Sequence, residues 1–429
     1  MRLFLLAALL AIPAAAQEDD DQPPPPPPAA AYTPADPAST QPALRFTGYA
    51  DVGFARAQGD GTSFAPGDAR LPADYGVDAF APAVNSRGDA ASTDSGGRFT
   101  NGFLPRSAGI GGRASFLVNT VDLDVRYQPA SLPIFLFTRL QLVPRLFASG
   151  AETRLVVEQA FARVSPFSSQ ELLLSAGKFD SVFGVEYLEN EANLRTGVTP
   201  SLIARYTTGQ SLGVKAFYRL ELAALQSAVS LNLAATNGGT LVETLQPQDA
   251  SLTGTPVLSA RIGYELKLAR FELKLGASGL SGPRNDQHQA SVRQKAIGAD
   301  LRLLALGFEL RAEALALKQD AGGGDKQNGL GTETVVSGFE ARGGYAQLSW
   351  TLPFALGALR RVTPYGRYDR RHAQFEGFTP ITVDRITAGL RVDLWESLLL
   401  KGEALWNREL LGAPQVANDV LTSSLVYSW

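Results

Sequence analysis

From residue 44 onward, apolar and polar positions alternate with a period of two. Between Val383 and Leu394, the residues Asp384, Ile386, Ala388, Leu390, Val392 and Leu394 share one parity, and Arg385, Thr387, Gly389, Arg391 and Asp393 share the other. That period puts successive side chains on opposite faces of a strand. The pattern recurs where Val121, Leu123, Val125 and Tyr127 oppose Asp122, Asp124 and Arg126, and where Ile262, Tyr264, Leu266 and Leu268 oppose Arg261, Gly263, Glu265 and Lys267. It recurs again where Phe271, Leu273 and Leu275 oppose Glu272 and Lys274, and where Leu398, Leu400, Ala404 and Trp406 oppose Lys401, Glu403 and Asn407. No apolar run from residue 44 onward approaches the roughly 18 residues of a membrane helix. A soluble sandwich alternates too, with its apolar face as the core. Here charges of both signs line the polar face of almost every strand, and the other face is rich in Leu, Val and Ala. That combination predicts lipid outside and water inside.

Spacing sharpens the prediction. Tight turns are expected at 128–133, 166–170, 222–224, 268–270, 306–307, 353–358 and 395–397. Longer polar loops are expected at 59–111, 181–208, 237–256, 281–293, 320–338 and 373–381, with shorter ones at 147–153 and 410–417. Short turns alternating with long loops give an all-β fold, a transmembrane antiparallel β-barrel of about sixteen strands with long extracellular loops and short periplasmic turns. Trp350, Trp395 and Trp429 then fall at the periplasmic rim and Trp406 near the opposite one, as a girdle of interfacial aromatics requires. Leu421, Leu425, Tyr427 and Trp429 share one parity. This resembles the terminal-strand signal of bacterial outer-membrane barrels, so Tyr427 and Trp429 are expected to address the chain to the barrel assembly machinery; an ordinary last strand is the alternative.

The first residues add an address. Arg2, the apolar run Leu3 to Ile12, the break at Pro13 and the small Ala14-Ala15-Ala16 read as a secretory signal over 1–16, too short to span a membrane. Residues 17–43 hold an acid run and the prolines Pro23 to Pro28, a composition that favours an extended, solvated linker over a core; a partner-binding arm is the alternative. The barrel is expected over 44–429, in the outer membrane of a Gram-negative bacterium.

Composition removes several classes. The chain has 429 residues, no cysteine and a net charge of -3. Glu18, Asp19, Asp20, Asp21 and Asp36 account for the acidity, so the body is near neutral and has no footprint for nucleic acid. The two histidines, His288 and His372, lie in or beside expected loops, no serine sits in a nucleophile motif, and metal ligation lacks His and Cys partners. Catalysis and cofactors are not expected.

The segment 175–205 stands apart. Gly177-Lys178-Phe179 ends a strand, and Phe183-Gly184-Val185-Glu186 leads into a long loop with Glu189, Glu191, Arg195 and Arg205. It resembles the region shared by the phosphate-selective porin family and its relatives, where a G-K-F strand end runs through F-G-x-E into the third extracellular loop. The resemblance implies a porin-type channel for small hydrophilic solutes or ions, surrounded by outer-membrane lipid, with a loop able to narrow the lumen and with homotrimeric assembly. It does not carry over phosphate selectivity, because Glu186, Glu189 and Glu191 put negative charge in the same loop. Surface decoration is the competing reading of that loop, and the longer 59–111 competes for the constricting role.

Inward parity is expected for Arg139, Lys215, Arg361, Arg367, Arg371, Arg385 and Arg391, and for Asp122, Asp124, Glu265, Glu309, Glu313, Asp369, Asp393 and Glu403. Such charges either tune ion passage or pair across strands and brace the wall. Candidate constriction residues are therefore Lys178, Glu186, Glu189, Glu191, Arg195 and Arg205 with Arg139, Arg361, Arg367, Arg371, Arg385 and Arg391. A closed structural or adhesive barrel without channel activity is the alternative function; a hydrophobic-solute transporter would want an apolar lumen. If Trp429 is an assembly signal, its deletion will leave export intact and trap unfolded chains in the periplasm. Normal amounts of heat-modifiable barrel in the outer membrane would refute this.

Overall fold

The computed structural model describes residues 43–58, 114–130, 132–143, 154–167, 171–180, 182–189, 191–207, 210–237, 255–283, 293–320, 322–326, 333–336, 338–353, 356–410 and 418–429. The chain divides into the units Met1–Thr33 and Pro34–Trp429. The first lies outside the described residues, as do the expected signal, the linker up to residue 42, and most of the loops at 59–111, 147–153, 237–256, 281–293 and 410–417.

Among the described residues eighteen strands follow one another: β1 (Ala43–Ala57), β2 (Ala114–Gln128), β3 (Ile134–Val143), β4 (Arg154–Val164), β5 (Leu172–Asp180), β6 (Gln210–Leu222), β7 (Ser227–Thr236), β8 (Val257–Leu268), β9 (Phe271–Pro283), β10 (Arg293–Ala305), β11 (Phe308–Gln319), β12 (Gly322–Lys326), β13 (Glu333–Val336), β14 (Phe339–Trp350), β15 (Arg361–Phe375), β16 (Ile381–Asp393), β17 (Leu398–Leu410) and β18 (Val420–Ser428). All but β12 and β13 form one closed antiparallel barrel in which each strand pairs with its neighbours along the chain. The fold is thus a sixteen-stranded barrel with short periplasmic turns and long outer loops. Strands β12 and β13 pair only with each other. They correct the reading of 320–338 as plain loop, and the loop expected at 373–381 shrinks to 376–380 because β15 and β16 run further than alternation alone indicated.

The alternation becomes two faces. On β16, Val383, Arg385 and Thr387 are buried inside while Ile386 and Leu390 are exposed on the lipid side. The same holds on β17, where Lys401, Glu403 and Leu405 point in and Leu400 and Trp406 point out. β1 and β18 close the ring, and the backbone of Trp429 completes the seam by donating to Gly48 O at 3.0 Å and accepting from Gly48 N at 3.1 Å. Tyr427 and Trp429 lie on the outer face with ring centroids 6.1 Å apart. All four tryptophans face outward, and Trp350 stacks on Phe308 across the β11–β14 pair.

The β10–β11 connection is a two-residue turn, Leu306 at φ 53° and Gly307 at φ 81°. Positive φ at both positions is the type I′ geometry that matches strand twist, and it suits Asn-Gly far better than Leu-Gly. Leu306 is 75% exposed, so its side chain contributes no packing to offset the strain. Leu306→Asn should therefore raise the stability of the folded barrel by about 1 kcal/mol, read as a higher urea midpoint. A lower midpoint would mean that the leucine is held by lipid contacts instead.

Candidate functional site

The connection between β5 and β6 does not stay at the surface. Val182, Phe183, Tyr187, Val198, Thr199, Leu202, Ile203 and Tyr206 are all buried, and the segment 182–207 lies folded inside the barrel. Its regular structure is slight: a 3-10 turn over Glu186–Glu189 and one helical turn over Ala204–Thr207. Two kinds of contact hold it there.

The first is apolar. The inner wall is not charged along its whole height. Near the outer ends of the strands its inward positions are Leu280, Ala296, Leu315, Leu317, Phe339, Ala341, Ala373, Phe375, Ile381 and Val383, and Phe183, Leu202, Ile203 and Tyr206 of the loop pack on them in one cluster. Burying four large side chains of this kind contributes on the order of 1.5–3 kcal/mol each before entropy is counted.

The second is polar. An irregular backbone inside a barrel needs partners for its amides and carbonyls. Wall carboxylates accept from the amides: Glu313 from Val185 N at 3.2 Å and Glu186 N at 3.1 Å, Glu403 from Val198 N and Thr199 N at 2.9 Å each, and Asp369 from Leu202 N at 3.1 Å. Wall cations donate to the carbonyls. Lys401 reaches Ala192 O at 2.5 Å, Gly197 O at 2.9 Å and Arg195 O at 3.2 Å; Arg367 reaches Thr199 O at 2.9 Å and Pro200 O at 3.1 Å; Arg385 reaches Pro200 O at 2.5 Å. Gly184 makes the docking possible. Its φ is 78°, and a Cβ there would stand 2.0 Å from a carboxylate oxygen of Glu313.

Between the loop and the wall remains a space of about 50 Å³. Glu186, Glu189 and Arg195 of the loop line it, facing Arg302, Arg311, Tyr345, Gln347 and Arg367 of β10, β11, β14 and β15.

No family model matches the chain, and no curated relative does. Solved structures do. The outer-membrane channel DcaP of Acinetobacter baumannii is similar at 10% identity with a TM-score of 0.51, over 91% of this chain and 98% of that one. The anion-selective porin from Comamonas acidovorans is similar at 8% identity with a TM-score of 0.50, over 91% of this chain and 100% of that one. The fold is that of the outer-membrane porins. At these identities the likeness concerns the fold alone, and neither structure bears on the resemblance to phosphate-selective porins.

Within the porin fold the sequence candidates separate into groups. Glu186 accepts from Ser201 N at 2.7 Å and from the Ser201 hydroxyl, so it folds the loop on itself. Glu189 pairs with Arg311. Glu191 accepts from Tyr49 Oη at 2.7 Å and pairs with Arg139, which also holds Asp124 through two bonds of 2.6 and 2.9 Å. Arg195 is buried in the loop; burial pulls its guanidinium below the usual range, and Glu186 and Glu403 oppose that pull. Arg367 also binds Asp369 at 2.9 Å, and Arg391 binds Asp393 at 2.7 Å while donating to Leu194 O and Arg195 O at 3.3 Å. Arg371 is buried on the inner face, and Arg361 sits half-exposed at the periplasmic rim, 3.7 Å from Asp393. The side chain of Arg205 and the whole of His288 lie outside the described residues.

Lys178 is a correction. Leu173, Ser175 and Phe179 are the buried positions of β5, so Lys178 has the outward parity. Its register partners are Ala160 and the exposed Leu212, and its Nζ donates to Val157 O at 2.9 Å. Period two sends the lysine of G-K-F toward lipid, where its amine snorkels to a backbone carbonyl.

Sequence reasoning passed over Tyr49, Arg302, Arg311 and Lys401. Parity gives their direction but not what each meets. Asp122, Glu158 and Glu191 place carboxylate oxygens within 4.8 Å of one another, the one set with metal-ligand spacing among the described residues. Arg139 already stands against this set, 3.9 Å from Glu158 and paired with Glu191, so a guanidinium supplies the positive charge there.

Glu403→Leu should strand Val198 N, Thr199 N and the Tyr365 hydroxyl, which donates to Glu403 at 2.7 Å. Losing these charge-assisted bonds should weaken loop docking by about 3 kcal/mol or more and raise single-channel conductance. Glu265→Leu breaks only bracing pairs with Arg219 and Lys274, and should leave conductance near the parent value. Equal effects from both variants would refute the docking role.

Proposed function

We propose that the protein is an outer-membrane diffusion channel for small hydrophilic solutes, narrowed by the segment 182–207 and carrying an excess of positive charge at its narrowest level. The observation that carries this reading is the charged space between loop and wall. Four arginines (Arg195, Arg302, Arg311 and Arg367) and two glutamates (Glu186 and Glu189) line it. A sixteen-stranded barrel is too wide for wall side chains alone to fill, so an inserted loop sets the passage. In a low-dielectric tube such rings of charge focus the field on the permeating ion, and an excess of arginine favours anions. The reading is of a channel and not of an enzyme. Export directed by residues 1–16, insertion by the barrel assembly machinery and the homotrimer implied by the resemblance belong to the same proposal.

One observation favours a second reading. A space of about 50 Å³ admits little more than a water or two, which suits a closed structural or adhesive barrel. Planar-bilayer recording separates the two. The channel reading expects current and, under a salt gradient, a reversal potential on the anion side. Arg302→Gln with Arg311→Gln should move it toward cations, and Glu189→Gln should move it further toward anions. Both shifts should fade as salt rises from 0.1 M to 1 M and the Debye length falls from about 10 Å to about 3 Å. A folded barrel that carries no current would establish the closed reading. Current with no shift in either variant would leave the channel and remove these residues from its selectivity.

A further inference from the structure

The lipid-facing surface is electrically lopsided. Among the described residues, the outward positions of β6, β7, β8 and β9 carry no charge. Those of β10, β11 and β14 to β17 do, and only toward the outer ends of the strands: the bases Arg293, Lys295, Lys318, Arg342, Arg370 and Arg408 against the acids Glu340 and Asp384. Lower on the same strands the outward residues are apolar, down to Phe308 and Trp350 at the periplasmic end. Such charges are expensive within hydrocarbon and favourable at headgroup depth, so their level marks the outer interface.

The arrangement leaves positive charge over. Lys318 pairs with Glu340 at 2.9 Å and Arg370 with Asp384 at 3.7 Å, but Lys295 and Arg342 have no ion-pair partner among the described residues. Lys295 and Lys318 are direct register partners; Glu340 offsets Lys318, and Lys295 has no such acid among the described residues to relieve the like-charge contact. Between them runs a cleft of about 480 Å³ whose lining includes the bases Lys295, Lys318 and Arg342, His372 and one acid, Glu340, together with Ile297 and Ala316. Ile297 is exposed and, like Ala316, lies on the lipid face directly below the two lysines, so the cleft is basic at its outer end and apolar beneath.

We propose that this cleft binds a phosphate-bearing lipid of the outer leaflet, with a phosphate bridging Lys295, Lys318 and Arg342 and the acyl chains lying over Ile297 and Ala316. A phosphate oxygen accepts charge-assisted bonds from ammonium and guanidinium at once, and with three bases against the single acid Glu340 it balances the positive charge left over. The inference rests on the barrel spanning a membrane and is independent of whether its lumen conducts.

The test is native mass spectrometry of the full-length protein purified in detergent. Its probes are diphosphorylated lipid A, the same lipid stripped of phosphate by a phosphatase, and inorganic phosphate. Lipid A should be retained at a stoichiometry of one and the stripped lipid about tenfold more weakly. The triple variant Lys295→Ser, Lys318→Ser, Arg342→Ser should lose that preference. Arg360→Ser, an outward base at the other rim, should keep it. If the triple variant fails to fold, Lys295→Arg with Lys318→Arg keeps the charge and should keep the preference, and Arg342→Ser alone should reduce it. Equal retention of both lipids would reduce the cleft to ordinary annular contact and overturn the proposal. So would preference surviving the triple variant, or inorganic phosphate binding where lipid A does not.

Discussion

An irregular backbone inside a membrane barrel persists only where each amide and carbonyl finds a partner, and the interior of this protein is organised around that constraint. The segment 182–207 enters the lumen without a ladder of its own, so the wall supplies one from side chains. Glu313, Glu403 and Asp369 take its amides, while Lys401, Arg367, Arg385 and Arg391 take its carbonyls. Each such bond involves a carboxyl, ammonium or guanidinium group of the wall, and breaking it leaves that buried polar group stranded. Acids and bases therefore stand together on the inner face of β15, β16 and β17, because the loop's backbone offers both donors and acceptors.

The apolar inner patch does complementary work. Polar anchors alone would orient the loop but compete with water for every bond. Phe183, Leu202, Ile203 and Tyr206 packed on Leu315, Leu317, Phe339 and Phe375 exclude that water from the seat between loop and wall. The wall is therefore divided by function. Strands β8 to β11 and β14 to β16 give the loop an apolar seat, and the next residues down on β11 and β15 to β17 give it charged anchors. Away from the loop, inward charges mostly pair with each other, as Arg261 does with Asp300 at 2.6 Å and Lys274 with Glu265 at 3.4 Å.

Much of this was legible in the sequence. The strand count, the turns at 268–270, 306–307 and 395–397, and the inward parity of every arginine assigned by alternation follow from period two, because a side-chain repeat of two residues leaves no other way to face two solvents. Lys178 departs from expectation for a related reason: the G-K-F motif marks it as a pore residue, but parity decides which face a strand residue takes. The inner apolar seat was also readable, though it was not read: in Ala312 to Leu317 both parities are apolar apart from Glu313, a loss of alternation that marks a strand buried on both faces. What no pattern gives is a partner. That Lys401 meets three carbonyls, or Glu403 two amides and two hydroxyls, depends on where a loop more than two hundred residues away in sequence comes to rest.

This division changes what a lumen charge means. Arg367 lines the narrow space and by sign alone would be read as a selectivity residue, yet its guanidinium is committed to Asp369, Thr199 and Pro200. Replacing it would release the loop and alter the field at once, and the two effects could not be told apart in a reversal potential. Arg302 and Glu189 are different: each keeps roughly three-tenths of its side chain in water, Arg302 pairs with Glu309 and Glu189 with Arg311 of the wall, and neither binds an amide or carbonyl of the loop. An anchoring charge acts less strongly on a passing ion because its paired acid and the dipoles it binds weaken its field, whereas a water-exposed charge on the same wall acts more directly on whatever passes. In a barrel narrowed by an inserted loop, the residues that define the passage and those that discriminate within it are therefore largely separate sets, and exposure to the lumen water, more than sign or parity, assigns a residue to one or the other.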